Sequence, residues 1–161
     1  MSDPGGSLGV MFEHVFDIDE AASEAELRDV VTRCERLKAT AAAAQARATA
    51  LWAAKRRAAE QAAGTPARKR GRGLASEIAL ARQDAPVTGN THLGMANALV
   101  HEMPHTLAAL QAGMLTEYRA SLIVKQSACL TVEDRRALDQ QLCADQQGLV
   151  GLGNARIEAA A

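Results

Sequence analysis

The segment His-Glu-Met-Pro-His at residues 101–105 carries the residue types of a hydrolytic metal site. It fits the pattern His-Glu-x-x-His, in which two histidines on one helix face bind Zn²⁺ and the glutamate activates a water molecule. That chemistry needs an unbroken helix, whereas Pro104 removes a backbone hydrogen bond and clashes with the preceding turn. We therefore expect His101 to end one helix and Pro104 to open the next, so that the two imidazoles lack the spacing of a zinc site.

The rest of the sequence does not complete a catalytic site around this segment. No histidine follows His105, so a third metal ligand would have to be Glu117 or a cysteine. There is no Gly-x-Ser-x-Gly nucleophile turn, no P-loop and no Gly-x-Gly-x-x-Gly dinucleotide motif. We therefore predict a protein that is not an enzyme and that requires neither a metal nor a cofactor.

Charge is distributed unevenly along the 161 residues, although the formal net charge is only −1. Residues 1–35 contain nine acids and two bases, residues 36–82 contain eleven bases and two acids, and residues 83–161 contain five bases and eight acids. A basic middle region of this kind indicates a polyanionic partner. The acidic first region either pairs with the basic region of the same or another chain or forms a solvated face.

Seven of the bases lie within 18 residues, and Glu60 is the only acid among them. This basic segment consists of Lys55, Arg56, Arg57, Arg68, Lys69, Arg70 and Arg72. Flexible cations next to a helix end suit contacts with phosphates, which dominate nucleic-acid affinity, so the segment predicts DNA as a partner. No aromatic residue is interleaved with the bases, so stacking against single strands is not indicated. The alternative is a solvated linker that keeps the protein in solution.

A long helix is predicted over residues 23–63, with Ser23 and Glu26 as a capping box at its start and Gly64 as its stop. Apolar or small residues recur along it at alternating spacings of three and four, as in a coiled coil. The positions of this heptad seam are Leu27, Val30, Cys34, Leu37, Ala41, Ala44, Ala48 and Leu51. One helix cannot bury such a seam alone. We therefore predict packing against another helix of the same chain or, alternatively, a homodimer.

The remaining chain is predicted to form flexible segments and a helical domain, which makes the fold class all-α. Residues 1–22 are expected to be a flexible acidic start with a candidate short helix at VMFEHVF, 64–73 a basic linker, and 74–161 a set of short helices. The predicted helices cover 74–83, about 91–102, 104–112, Thr116 to Ser127, and Thr131 to about Gln147. Thr116 and Thr131 are the expected N-caps. The final ARIEAAA reads as a helix that is either cut partway or frayed.

The sequence also predicts the inward face of the first short helix and the loop that follows it. The helix over 74–83 is expected to turn Leu74, Ile78 and Ala81 inward, and Gly89 is expected to act as a breaker in the loop that follows.

Residues 104–126 resemble a helix-turn-helix, with Gly113 in the turn and Ala109 four residues before it. The second helix would present Glu117, Arg119, Ser121 and Lys125. The alternative is an ordinary helical hairpin within an α-helical bundle.

The sequence also indicates a location in the cell. Cys34, Cys129 and Cys143 are widely spaced and odd in number, which favours free thiols in a reducing cytoplasm over a disulfide framework. The acidic N-terminus lacks the basic region of a signal peptide. No uncharged apolar run approaches the roughly 18 residues of a membrane span, so no membrane association is expected.

Four strings in the second half of the chain resemble the 13E12 repeat family of mycobacteria, the domain of unknown function 222. They are SEIALAR at 76–82, HLGMANALVHEMPHTLAALQAG at 92–113, TEYRASLIVKQSACL at 116–130 and LTVEDRRALD at 130–139. The resemblance covers about half of the chain closely and the long helix loosely. It implies the helical N-terminal part of proteins that often end in an HNH nuclease module and that are dispersed in actinobacterial genomes.

In such proteins the catalytic and metal-binding histidines lie in the C-terminal module, and no residue of this chain matches them. The resemblance therefore implies a copy truncated at its C-terminal end. Together these observations predict a non-catalytic helical module that binds nucleic acid. The alternatives are a module for self-association or protein interaction, and a truncated relic without activity.

Overall fold

The structure is a computed structural model that describes residues 18–149. The expected short helix at VMFEHVF and the expected final helix at ARIEAAA lie outside these residues. Within the described range the chain is all-α, as predicted, and contains no strand. The helices are α1 (Glu24–Ala62), α2 (Leu74–Ala81), α3 (Gly89–His101), α4 (Pro104–Gln111), α5 (Glu117–Gln126) and α6 (Val132–Cys143). Short 3-10 turns lie at Ala67–Lys69, Pro86–Thr88, Ser127–Cys129 and Gln147–Leu149.

The chain divides into two compact units, one up to Glu35 and one from Arg36 onward. In the first unit, the predicted capping box is confirmed at the start of α1. The backbone N–H of Ser23 donates to Glu26 at 2.8 Å, and the backbone N–H of Glu26 donates to the Ser23 hydroxyl at 3.4 Å. The Ser23 backbone N–H and the Ser23 hydroxyl, which donates to the same carboxylate at 2.7 Å, lower the pKa of the Glu26 carboxyl. The cap therefore fixes the first turn of α1 through contacts within four residues.

In the second unit, α1 packs against the later helices through a stripe of small residues. The buried positions are Ala39, Ala42, Ala43, Ala46, Thr49, Ala50 and Ala53. The large side chains that share a core with this stripe are Leu99, Met103, Leu110, Leu115, Ile123 and Leu149. A smaller cluster contains Ala53, Leu74 and Ile78, with Trp52 and Leu93 packed against it. Alanine lets the backbones of neighbouring helices approach closely. The large side chains of the core come from the later helices.

The buried alanine stripe is not the predicted heptad seam. Ala43, Ala46, Ala50 and Ala53 lie two residues after the seam positions Ala41, Ala44, Ala48 and Leu51, which are exposed. Two residues correspond to about 200° around an α-helix, so these four seam positions face away from the core of the second unit. The expectation that packing within the chain would use the seam is therefore wrong for these positions. Small residues occupy both stripes, and the spacing of the apolar positions does not distinguish them.

Helix α3 begins two residues earlier than predicted, because Gly89 lies in its first turn and is not a breaker. A Cβ atom at Gly89 would lie 1.9 Å from the carbonyl oxygen of Ala75, so only glycine allows this crossing of α2 and α3. In α2, Leu74 and Ile78 are buried as predicted, whereas Ala81 is exposed and Ala79 takes the third inward position.

The two predicted threonine caps are confirmed. The Thr116 hydroxyl accepts the backbone N–H of Arg119 at 3.3 Å, and the Thr131 hydroxyl accepts that of Asp134 at 3.1 Å. The helix after Thr131 ends at Cys143, before the predicted end near Gln147. Local side-chain chemistry thus determines where α5 and α6 begin.

Candidate nucleic-acid interface

The His-Glu-Met-Pro-His segment is split between two helices, as predicted. Helix α3 ends at His101, Met103 has φ −129° and ψ 60°, and Pro104 opens α4. The two histidines therefore do not share a helix face. Glu102 forms an ion pair with Arg135. Among residues 18–149, no three His, Cys, Asp or Glu side chains are grouped so that they could hold a metal ion.

Asp139 on α6 holds the start of α4 in this position. Its fully buried carboxylate accepts the backbone N–H groups of His105 at 2.8 Å and Thr106 at 2.7 Å, and the Thr106 hydroxyl at 2.6 Å. These N–H groups lie in the first turn of α4, where backbone N–H groups have no acceptor within their own helix. Nothing local in the sequence signals this contact, because Asp139 is more than 30 residues away along the chain.

The basic segment lies where α1 ends and the chain turns into α2, a region that we call the basic junction (residues 55–77). Arg56 joins the two helices through a bidentate ion pair with Glu77, at 3.1 and 2.7 Å. The hydrogen bonds of this pair raise the pKa of Arg56 and lower the pKa of Glu77. Arg56, which the sequence predicts as a phosphate contact, is therefore paired with a carboxylate of the same chain.

Arg70 is the second base of the segment that has a structural role. Its Nε donates to the backbone carbonyl of Thr65 at 2.8 Å, and one terminal nitrogen reaches Gln61 at 3.5 Å. Next to it, the backbone N–H of Gly71 donates to Glu60 at 2.6 Å. The linker is thus folded back onto the last turns of α1, and the only acid of the segment is bound to the backbone.

The other five bases of the segment are exposed. They are Lys55, Arg57, Arg68, Lys69 and Arg72. In the part of the chain that the structure describes, none of them has a hydrogen bond or an ion pair to a protein group, and we refer to them as the free cations. The structure thus divides the seven predicted residues into two that have partners within the chain and five that are available to an external anion.

The free cations of the basic junction point in several directions. Successive residues of an α-helix are rotated by about 100°, so Lys55 and Arg57 lie on either side of Arg56 around α1. Arg68 and Lys69 lie on a 3-10 turn, and the glycines at 71 and 73, with φ of 74° and 80°, return the chain to α2. The arrangement offers several points of contact to a phosphate backbone.

The predicted pair of helices around Gly113 is present, because α4 and α5 flank a turn in which Gly113 has φ 72°. Ala109 is fully buried, and a Cβ atom on Gly113 would lie 2.9 Å from the side chain of Arg36. Glu117 is not presented to a partner, because it pairs with Arg82 at 2.7 Å. Lys125 is exposed, but α5 offers far fewer cations than the basic junction.

The heptad seam lies on the surface of both units. In the first unit Leu27 is exposed, and Val30 and Cys34 are half-buried. In the second unit Leu37 is exposed, and Leu51, 57% exposed, borders a groove of about 540 Å³ between α1 and the end of α3. The walls of this groove include Ala44, Ala48, Val100 and His101.

Comparison with models of known protein families, with curated proteins and with solved structures gives no match for this chain. No helix in residues 18–149 is long and apolar enough to cross a membrane.

Proposed function

We propose that this chain is a non-catalytic module that binds duplex DNA through its phosphates at the basic junction. One observation carries the proposal: five exposed cations have no acidic partner in the described residues, while Arg56 and Arg70 have partners within the chain. A charged surface without internal partners attracts polyanions.

The mechanism is release of counterions from the DNA. Each neutralised phosphate contributes a slope of about −0.9 to the logarithm of affinity against the logarithm of salt concentration. Five contacts therefore give a slope of about −4.5, whereas all seven predicted residues would give about −6.3. Phosphate contacts carry no sequence information, so affinity should depend little on the DNA sequence.

The resemblance to the 13E12 repeat family supports the same proposal. Members of that family often carry an HNH nuclease, and a basic helical module would hold such an enzyme on its DNA. The proposed module would meet DNA in the cytoplasm.

A salt series of fluorescence-anisotropy titrations with labelled duplex DNA tests the proposal. The test variant changes Arg68, Lys69 and Arg72 to Ala, and we expect the slope to become shallower by nearly 3. The matched control changes Arg28, Arg33 and Arg47 to Ala, which removes the same charge elsewhere on α1. Circular dichroism should show the same helix content in all three proteins.

Equal loss of affinity in the two variants would mean that net charge, and not the basic junction, attracts DNA. No binding by the folded unmodified chain would remove the proposal.

The exposed heptad seam favours a second candidate function, self-association of α1 with α1 of another copy. The same apolar stripe on a second chain would be complementary to it in spacing. Changing Leu37 and Leu51 to Asp should then convert a dimer to a monomer in sedimentation experiments. The matched control is Leu80→Asp with Val87→Asp, because those side chains are 77% and 83% exposed and lie off the seam.

A monomeric mass for the unmodified chain would exclude the dimer. A folded chain that neither binds DNA nor self-associates would exclude both proposed functions.

A further inference from the structure

A cavity of about 400 Å³ lies between α3 and α5, and none of its lining residues belongs to the basic junction. Its volume is in the range of pockets that bind small molecules. The lining residues that matter for its chemistry are Gly94, Met95, Ala98, Val124, Lys125 and Arg135. Most of the lining is apolar or small, Thr91 and Ser121 add two hydroxyl groups, and the two charged residues are both cationic.

Gly94 has no structural requirement for glycine. A Cβ atom at this position would meet no atom within 4 Å, whereas a Cβ atom at Gly89 on the same helix would collide with backbone at 1.9 Å. The φ of Gly94 is not positive, and glycine is unfavourable in the interior of a helix. Gly94 is exposed and lines the cavity, so the absence of a side chain leaves space at the cavity opening.

The charge at the rim comes from Lys125. Arg135 is neutralised by its ion pair with Glu102, and it also donates to the backbone carbonyls of Ser127 at 3.2 Å and Ala128 at 3.3 Å. Lys125 is exposed and forms no ion pair within residues 18–149. An apolar cavity with one available cation at its edge is complementary to a molecule that has an apolar body and a single negative end.

We propose that this cavity binds a small amphiphilic anion, of the class of medium-chain carboxylates. The alkyl chain would lie against Met95, Ala98 and Val124, and the carboxylate would accept a hydrogen bond from Lys125. This site is independent of the proposed DNA-binding function, because it uses neither the basic junction nor the heptad seam.

The test uses octanoate, octanol and octylammonium as probes, with amide NMR shifts of the full chain as the readout. Octanoate should shift α3 and α5 amides and bind about tenfold more tightly than octanol, as expected for one charge-assisted hydrogen bond. Octylammonium should bind most weakly. Equal affinity for octanoate and octanol, or no shift with either, would overturn the proposal.

Two variants locate the site. Gly94→Leu should fill the cavity and abolish binding while the thermal midpoint stays equal or rises, since leucine favours the helix more than glycine does. Lys125→Met should reduce octanoate affinity to that of octanol without changing DNA affinity. The control Lys69→Met should do the reverse, weakening DNA binding alone. Octanoate binding that survives Gly94→Leu in a folded protein would exclude this cavity as the site.

Discussion

The basic junction and the contact between α4 and α6 each contain one carboxylate that joins two helices, and the two carboxylates lie in opposite environments. Glu77 is exposed and pairs with Arg56, whereas Asp139 is fully buried and accepts three hydrogen bonds from the start of α4. An exposed pair can be lost with little effect on folding, because water replaces the partner. A buried acceptor cannot be replaced in this way. The fold therefore depends on the contact between α4 and α6, and the charges at the basic junction remain available for a partner.

The largest expected effect is that of Asp139→Asn. The substituted amide is nearly the same size, but its NH₂ group must face an N–H or hydroxyl donor in a buried site. We expect the free energy of unfolding to fall by about 2–4 kcal/mol, the range for buried donors that lose an acceptor. Urea unfolding measures the change. Asp134→Asn, at the exposed cap of α6, is the control, and an equal shift in both variants would contradict the difference between the two environments.

A smaller effect concerns Cys143, which is buried in the same region beside Thr106 and Asp139. Burial raises the pKa of its thiol above the ordinary value of 9.0. The unfolded chain then loses this proton at lower pH than the folded chain, so stability should decrease as the pH rises above about 9. Cys143→Ala should remove the part of this decrease in stability that the thiol causes. Urea unfolding between pH 7 and about 10 measures it. Cys129→Ala, at an exposed thiol, is the control, and an equal change of the pH profile in both variants would contradict the role of burial.

The smallest expected effect on stability is that of Glu77→Gln at the basic junction. Loss of the exposed ion pair should change the urea midpoint little. Release of Arg56 should, however, tighten DNA binding and make the salt slope steeper by about 1. The control is Glu133→Gln, which changes the net charge by the same amount as Glu77→Gln but at an exposed position on α6. If both variants tighten binding to the same extent, Arg56 is not the residue that responds.

The sequence predicts the features of this fold that depend on short stretches of chain. Ser23, Thr116 and Thr131 were identifiable as caps because an N-cap and its N–H partner lie within three residues. Pro104 was identifiable as a helix start for the same reason. The basic segment was visible as a cluster, but the division into structural and free cations depends on Glu77, which reaches Arg56 only after α2 has folded back.

Features that depend on distant contacts were not predictable. The sequence does not show whether Gly89 breaks a helix or allows a close contact between two helices. The contact with the carbonyl of Ala75 decides between the two. The two stripes of α1 both consist largely of small residues, so their spacing gives no preference for burial. Asp139 follows Leu138 in a helix with ordinary amphipathic spacing. Its partners lie on α4, so the sequence near Asp139 does not reveal them.

The alanine stripe of α1 also affects how the protein is made. Ala39 shares its core with Leu149, so the ribosome must add about 110 more residues before the core can close. At typical rates of synthesis this takes roughly 5 to 20 seconds. During that interval the stripe is exposed to chaperones and to neighbouring nascent chains. A stripe of alanines presents much less apolar area than one of leucines, and it therefore lowers the risk of aggregation before folding is complete.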